Sequence, residues 1–176
     1  MIGNLDAEQR FILEHLDFKN GSGYLTEMVD EWSLVADCDR DAATSALSCA
    51  VEELERRGLA VREDSDSGYE EEIEIHKGTE IPKLPSLEEA TAAMAEALAN
   101  RAAGTLKPPP VKSEAETEVE ELNFEIFSLA YTRWNRPDDA DDRQMAVAEM
   151  DWDTARVKIL ELRARRAELA AKSRPV

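Results

Sequence analysis

Two cysteines, Cys38 and Cys49, and two histidines, His15 and His76, are the only thiols and imidazoles in this chain of 176 residues. Neither cysteine belongs to a C-x-x-C or Cys/His ligand spacing, so neither a disulfide framework nor a zinc site is expected. The histidines stand apart from any Ser or Cys partner, and the sequence has no phosphate-cradling glycine loop and no Gly-x-Ser-x-Gly elbow. The chain therefore reads as non-enzymatic, with no catalytic residue, no cofactor and no metal. The run Asp138-Asp139-Ala140-Asp141-Asp142 offers hard oxygen ligands. It lacks the glycine turn and distal Glu of a calcium loop, and is read as helix-capping chemistry. No stretch of 18 apolar residues occurs, and the residues from Met1 to Asp6 contain no basic region followed by an apolar core. A soluble, cytoplasmic protein without membrane contact is expected.

Positive charge is also scarce: 21 Lys and Arg stand against 39 Asp and Glu, a net charge of −18. Residues 1–77 carry 7 basic and 20 acidic side chains (−13), residues 78–121 carry 4 and 9 (−5), and residues 122–176 carry 10 of each. A domain of the first kind repels phosphate backbones and attracts basic surfaces, which argues against counterion-release binding to duplex DNA. High acid content also suits a protein adapted to salt. With 43% hydrophobic residues the chain is too apolar to be wholly disordered, and its length fits one ordinary domain or two small ones. The charge division favours two.

Asp6 and Gln9 have the spacing of a capping box, and Leu5, Phe11, Ile12 and Leu16 supply the apolar face of a first helix that stops at the loop Asn20-Gly21-Ser22-Gly23. Leu25, Met28, Val29, Trp32 and Val35, at spacings of 3 and 4, predict a second helix. A third runs from Arg40 through Ala43, Leu47, Ala50, Val51 and Leu54 to Arg57, with Gly58 as left-handed cap and Leu59 folding back on the last turn. The period then becomes alternating. Leu59 and Val61, and after the turn Tyr69, Ile73 and Ile75, predict a hairpin. Trp32, Leu47, Val51, Leu54 and Ile73 are the expected core. The order of three helices and a two-stranded wing, with the junction Val51-Glu-Glu-Leu-Glu-Arg-Arg-Gly-Leu-Ala-Val-Arg62, resembles the winged-helix (winged helix-turn-helix) superfamily over residues 5–77. The resemblance implies a fold and not DNA binding, because winged helices also serve as protein-docking modules.

Beyond residue 77, an extended segment leads to an Ala-rich helix with a capping box at Ser86 and Glu89, a face of Leu87, Thr91, Met94 and Leu98, and an end at Gly104. Residues 105–118, with Pro108-Pro109-Pro110, read as a linker at which the two halves should separate cleanly. Residues 119–176 form a helical region. Its first helix, from Val119 to Trp134, has two apolar stripes: Leu122, Ile126 and Leu129, and Phe124, Phe127, Tyr131 and Trp134. Such a helix is not expected to be half solvated. Asp141 or Asp142 caps a short helix reaching Met150, and Asp153 caps a long final one in which Val157, Leu160, Ala164, Ala167 and Ala171 repeat at spacings 3, 4, 3, 4, with Ile159, Leu162 and Leu169 beside them. The segment Val147 to Lys158 reads as a helical hairpin or a second helix-turn-helix, with Asp151 where such a turn carries a residue of φ > 0. The fold class is mainly α with a small β-hairpin wing.

The solvent face of the third helix, Asp41, Thr44, Ser45, Ser48, Glu52 and Glu55, lacks the Arg, Lys, Asn and Gln that read bases. The wing, with Glu70, Glu71 and Glu72 among its acids, offers carboxylates where DNA-binding wings offer Arg or Lys. Charges of this kind also guard exposed strands. The candidate partner-binding residues are Glu70, Glu71, Glu72, Phe124, Phe127, Tyr131 and Trp134, and the expected partner is a protein with a basic surface. From Arg156 to Arg174 there are 7 Lys/Arg and 2 Asp/Glu. Arg156, Lys158, Arg163, Arg165 and Arg166 are candidates to contact nucleic acid, an acidic protein, or this chain's own N-terminal domain. Three readings follow: a winged-helix adaptor in a macromolecular, DNA-associated assembly; a DNA-binding regulator, as a homodimer through its C-terminal helices; and an acidic, DNA-mimicking inhibitor of a nucleic-acid-binding protein.

Overall fold

A computed structural model describes residues 5–65, 72–80, 86–104, 112–135 and 142–173. The chain is mainly helical, with a small antiparallel sheet of three strands. In order the elements are α1 (Ala7–Phe18), β1 (Ser22–Tyr24), α2 (Leu25–Ala36), α3 (Arg40–Arg56), β2 (Ala60–Ser65), β3 (Glu72–Lys77), α4 (Leu87–Ala102), α5 (Glu114–Trp134), α6 (Asp142–Ala148) and α7 (Trp152–Ser173). No helix among the described residues is long and apolar enough to cross a membrane.

The local chemistry of the first three helices is largely that of the sequence. Asp6 caps α1 by accepting from the Gln9 amide at 2.8 Å. Gln9 does not complete a capping box there: its carbonyl accepts from Arg57 at 2.9 Å, tying the start of α1 to the end of α3. Asp39 caps α3, and Gly58, at φ 66°, lets the Leu59 amide return to the Leu54 carbonyl at 2.9 Å. The loop after α1 holds more than a stop. Asn20 and Gly21 turn the chain through positive φ, and the next three residues pair with β3, so the sheet order is β1-β3-β2. In the hairpin the inward positions are Ala60 and Ile75. Val61 stands opposite His76 on the outer face, and Ile73, expected in the core, is only partly buried against it. Tyr69, expected in the second strand of the hairpin, lies outside the described residues.

Two cores meet at α2. The first joins Phe11, Ile12 and Leu16 of α1, Leu25, Met28, Val29 and Trp32 of α2, Leu47, Val51 and Leu54 of α3, and Ala60 and Ile75 of the sheet. The second sets Leu34 of α2 against Ile126, Leu129 and Ala130 of α5 and Ala155 and Ile159 of α7, with Val35 touching both. A helix covered on two sides must bury polar groups between its apolar ones, and each needs a partner. Asp30 has Arg40 and Asn135, Glu31 has His15 and Arg163, and Ser33 accepts from the Trp134 indole at 3.0 Å. The clean division expected at residues 105–118 is therefore not how the cores are arranged. Of that linker, residues 105–111 lie outside the described residues and 114–118 are helical, because Ser113 and Glu116 form a capping box that starts α5 at Glu114.

The C-terminal helices depart further from expectation. Asp151, not Asp153, caps α7: its carboxylate accepts from the Thr154 amide at 2.9 Å. Asp151 is not among the residues of positive φ, so the turn between α6 and α7 lacks the left-handed residue expected of a helix-turn-helix. The 3-4-3-4 stripe of α7 faces solvent at Val157, Leu160, Ala164, Ala167 and Ala171. Ala155, Ile159 and Arg166 form the buried face. The face of α4 carrying Met94 and Leu98 is likewise exposed.

Candidate functional site

Where α1, α2, α5 and α7 converge, the sequence places ionisable groups on otherwise apolar stripes. On α1, His15 sits between Ile12 and Leu16. On α2, Glu31 lies one residue before Trp32. On α7, Arg166 continues the stripe of Ala155 and Ile159. These side chains meet as a charged seam. His15 Nδ1 is 3.0 Å from a carboxylate oxygen of Glu31, and its Nε2 is 3.9 Å from Glu27, which also pairs with Lys19 at 3.2 Å. Arg163 reaches Glu31 and Glu14. Arg166 donates to Asn123 at 2.8 Å and to Glu14 at 3.3 Å, with its guanidinium 4.0 Å from the centre of the Phe18 ring. Burial alone would lower the His15 pKa. The hydrogen bonds and charges of Glu27 and Glu31 outweigh it and raise the value above 6.5. Burial opposes the charge of Glu31 as well, but the His15 hydrogen bond, the His15 charge and the two arginines hold its pKa at about 2. Asp30, one residue earlier, goes the other way: burial pushes it to about 6 despite Arg40 and Asn135.

This seam joins parts of the fold and does not cradle a ligand. The cavity lined by His15, Glu31, Asn123 and Arg166 holds about 10 Å³, at the lower limit for a single water. The five cations proposed for nucleic acid are turned to acids of their own chain: Arg156 to Asp37, Lys158 to Glu125, Arg165 to Glu118, and Arg163 and Arg166 to the seam. Arg156, Arg163 and Arg166 of the basic helix thus meet acids of the N-terminal half. The signal in the sequence was Arg166 sharing a face with Ala155 and Ile159, since a charge on an apolar stripe calls for a buried counter-charge.

The candidate partner-binding residues separate. Glu70 and Glu71 lie outside the described residues, and of Glu72 only the backbone, at the start of β3, is described. Trp134 is half-buried, its indole donating to Ser33 and its ring set edge-on to Trp152, so it serves packing. Phe127 is half-buried and stacks on Tyr131, with Lys19 over its ring. Phe124 is 71% exposed and Tyr131 44%. α5 is thus half solvated after all: Leu122, Ile126 and Leu129 are buried in its packing, and Phe124 is left to solvent. On α3 the exposed positions include Asp41, Thr44, Ser45, Cys49 and Glu52, with no basic residue among them until Arg56, which pairs with Glu53. No family model, no curated protein and no solved structure matches this chain.

Proposed function

We propose that this chain is a non-enzymatic docking module of winged-helix type, α1 to β3 forming the module, which binds a protein partner through an acidic surface. The observation that carries the reading is the inward turn of Arg163 and Arg166 on α7. These two are committed to Glu31 and Glu14 and hold the molecule together, while the exposed positions Asp41 and Glu52 of α3 face outward. The reading is supported further by the exposed α3 face, which offers carboxylates and hydroxyls where base recognition uses Arg, Lys, Asn or Gln. A duplex approaching it would lose counterion-release energy instead of gaining it. The partner's complementary surface is basic, and Phe124 with Tyr131 gives a second, apolar point of contact.

The test is a titration of the full chain against fluorescent duplex DNA at about 50 and 200 mM salt, a range over which phosphate-dominated binding changes by orders of magnitude. No binding is expected at either salt. A companion capture from native-host extract compares the wild-type chain with Asp41→Asn/Glu52→Gln and with Phe124→Ser. A specific partner lost from the first variant fits the docking reading. Salt-sensitive, sequence-selective DNA binding would replace it with the regulator reading.

A further inference from the structure

We propose that the outer face of the sheet binds a divalent transition-metal ion of the zinc type through Glu63, Glu74 and His76. In the antiparallel register of β2 and β3, Glu63 stands directly opposite Glu74. His76, two residues along β3, points to the same face. Like charges placed directly opposite destabilise a sheet. Among the described residues no Lys or Arg relieves this pair, since Arg62 is drawn to Glu55 and Lys77 to Asp17. What faces both carboxylates is an imidazole nitrogen: His76 Nε2 lies 3.0 Å from Glu63 and 3.9 Å from Glu74, and one ligand atom from each residue falls within 4.8 Å of the other two.

The burial is graded as a metal site requires. The His76 side chain is 8% exposed and Glu63 45%, so the imidazole is the floor and the carboxylates are the open rim. Among the described residues His76 Nδ1 has no hydrogen-bond partner, and the two glutamates stand in front of Nε2. Zinc bonds of about 2.0–2.2 Å arranged tetrahedrally set donor atoms about 3.4 Å apart. The two observed separations from Nε2 fall on either side of that spacing. Calcium and magnesium favour shells built from oxygen alone, whereas an imidazole beside carboxylates suits zinc and its transition-metal neighbours. Three protein ligands leave a fourth position for water or a partner's side chain. A doubly charged ion would neutralise the opposed glutamates in the most acidic part of the chain and fasten β2 to β3. No spacing in the sequence points to this cluster, because Glu63 and His76 are 13 residues apart and become neighbours only through strand register.

The full chain, stripped with EDTA and dialysed, should bind one equivalent of Zn2+ in a calorimetric titration, and Co2+ should give visible ligand-field bands on binding. Thermal unfolding should shift upward with Zn2+ and return with EDTA. Glu63→Gln and Glu74→Gln, both at solvent-accessible positions, should each weaken binding at least tenfold, in line with the loss of one ligand. His76→Gln should abolish the cobalt bands. Glu96→Gln on α4, which removes equal charge at an exposed position outside the cluster, should leave the affinity unchanged. Absence of saturable binding, or binding that persists equally in the Glu63→Gln/Glu74→Gln double variant, would overturn the proposal. The glutamine variants keep it decidable even where replacing buried His76 prevents folding.

Discussion

At Gly23 a Cβ would meet the His15 ring and the Met28 methyl, each at 3.2 Å. The ring is held by Glu31 and would have to shift by a few tenths of an ångström, so Gly23→Ala should destabilise the chain by about 1–3 kcal/mol, the range for overpacking, as measured by urea unfolding. The seam also gives the chain a pH profile. The His15 pKa lies above 6.5 in the folded state, so its contribution is complete below 6.5 and is lost as pH rises through the raised value. Asp30, raised from 3.8 to about 6, contributes fully below 3.8 and loses that contribution as pH climbs through about 6. Glu31, lowered from 4.5 to about 2, contributes above 4.5 and fails only as pH falls toward about 2. Thermal stability should therefore be higher near pH 5 than near pH 8. His15→Gln should flatten the alkaline decline to the part owed to Asp30. A wild-type melting temperature that rises between those two pH values would contradict this assignment. The sequence showed both histidines but not their partners, because Glu27 and Glu31 approach His15 from a different helix and Glu63 approaches His76 across the hairpin.

Among the elements, α2 is the one whose loss would be felt on both sides. Leu34 is fully buried in the second core and takes no part in the first. Leu34→Ala should cost about 2–5 kcal/mol. The cost should fall on the attachment of α5 and α7: their amide hydrogens should exchange faster while those of α3 keep their protection. Equal loss of protection in α3 would mean that the two cores open as one unit. The positions of α1 to α3, the caps at Asp6 and Ser86 and the change of period at Gly58 were legible because each is set by residues within a few positions of one another. The inward face of α7 was not. Its solvent stripe, Val157, Leu160 and the alanines, has the more regular spacing, whereas its buried face mixes Ala155 and Ile159 with Arg166, and only the acids of α1 and α2 make an arginine acceptable there. β1 was illegible for a related reason. Three residues are too short to show an alternating pattern, Gly23 disfavours a strand, and they pair because β3 presents an open edge.

For the whole molecule, the shared use of α2 separates covalent from physical connection. A protease site inserted within residues 105–111 and then cut should leave two fragments that co-elute on size exclusion at neutral pH and moderate salt, because Leu34, Ile126, Leu129 and Ile159 still pack together and Arg163 still meets Glu31. Fragments that part under those conditions would restore the picture of two independent halves. The division of charge in the sequence, acid first and balanced later, pointed to two units. The same division, once folded, supplies opposite signs across their junction.

Tyr24 ends β1 and is also the residue that begins α2, with no turn between them and no side-chain cap to mark the change. Strand and helix are in effect one crank, with the sheet as its handle and α2 as its shaft. A hinge would absorb motion at such a junction, whereas a direct strand-to-helix passage hands it on. Whatever grips the outer face of the sheet, beside Glu74 where Tyr24 is paired, therefore pulls on the helix that carries Leu34 and Glu31. The far ends of α5 and α7 lie one rigid helix away from that grip.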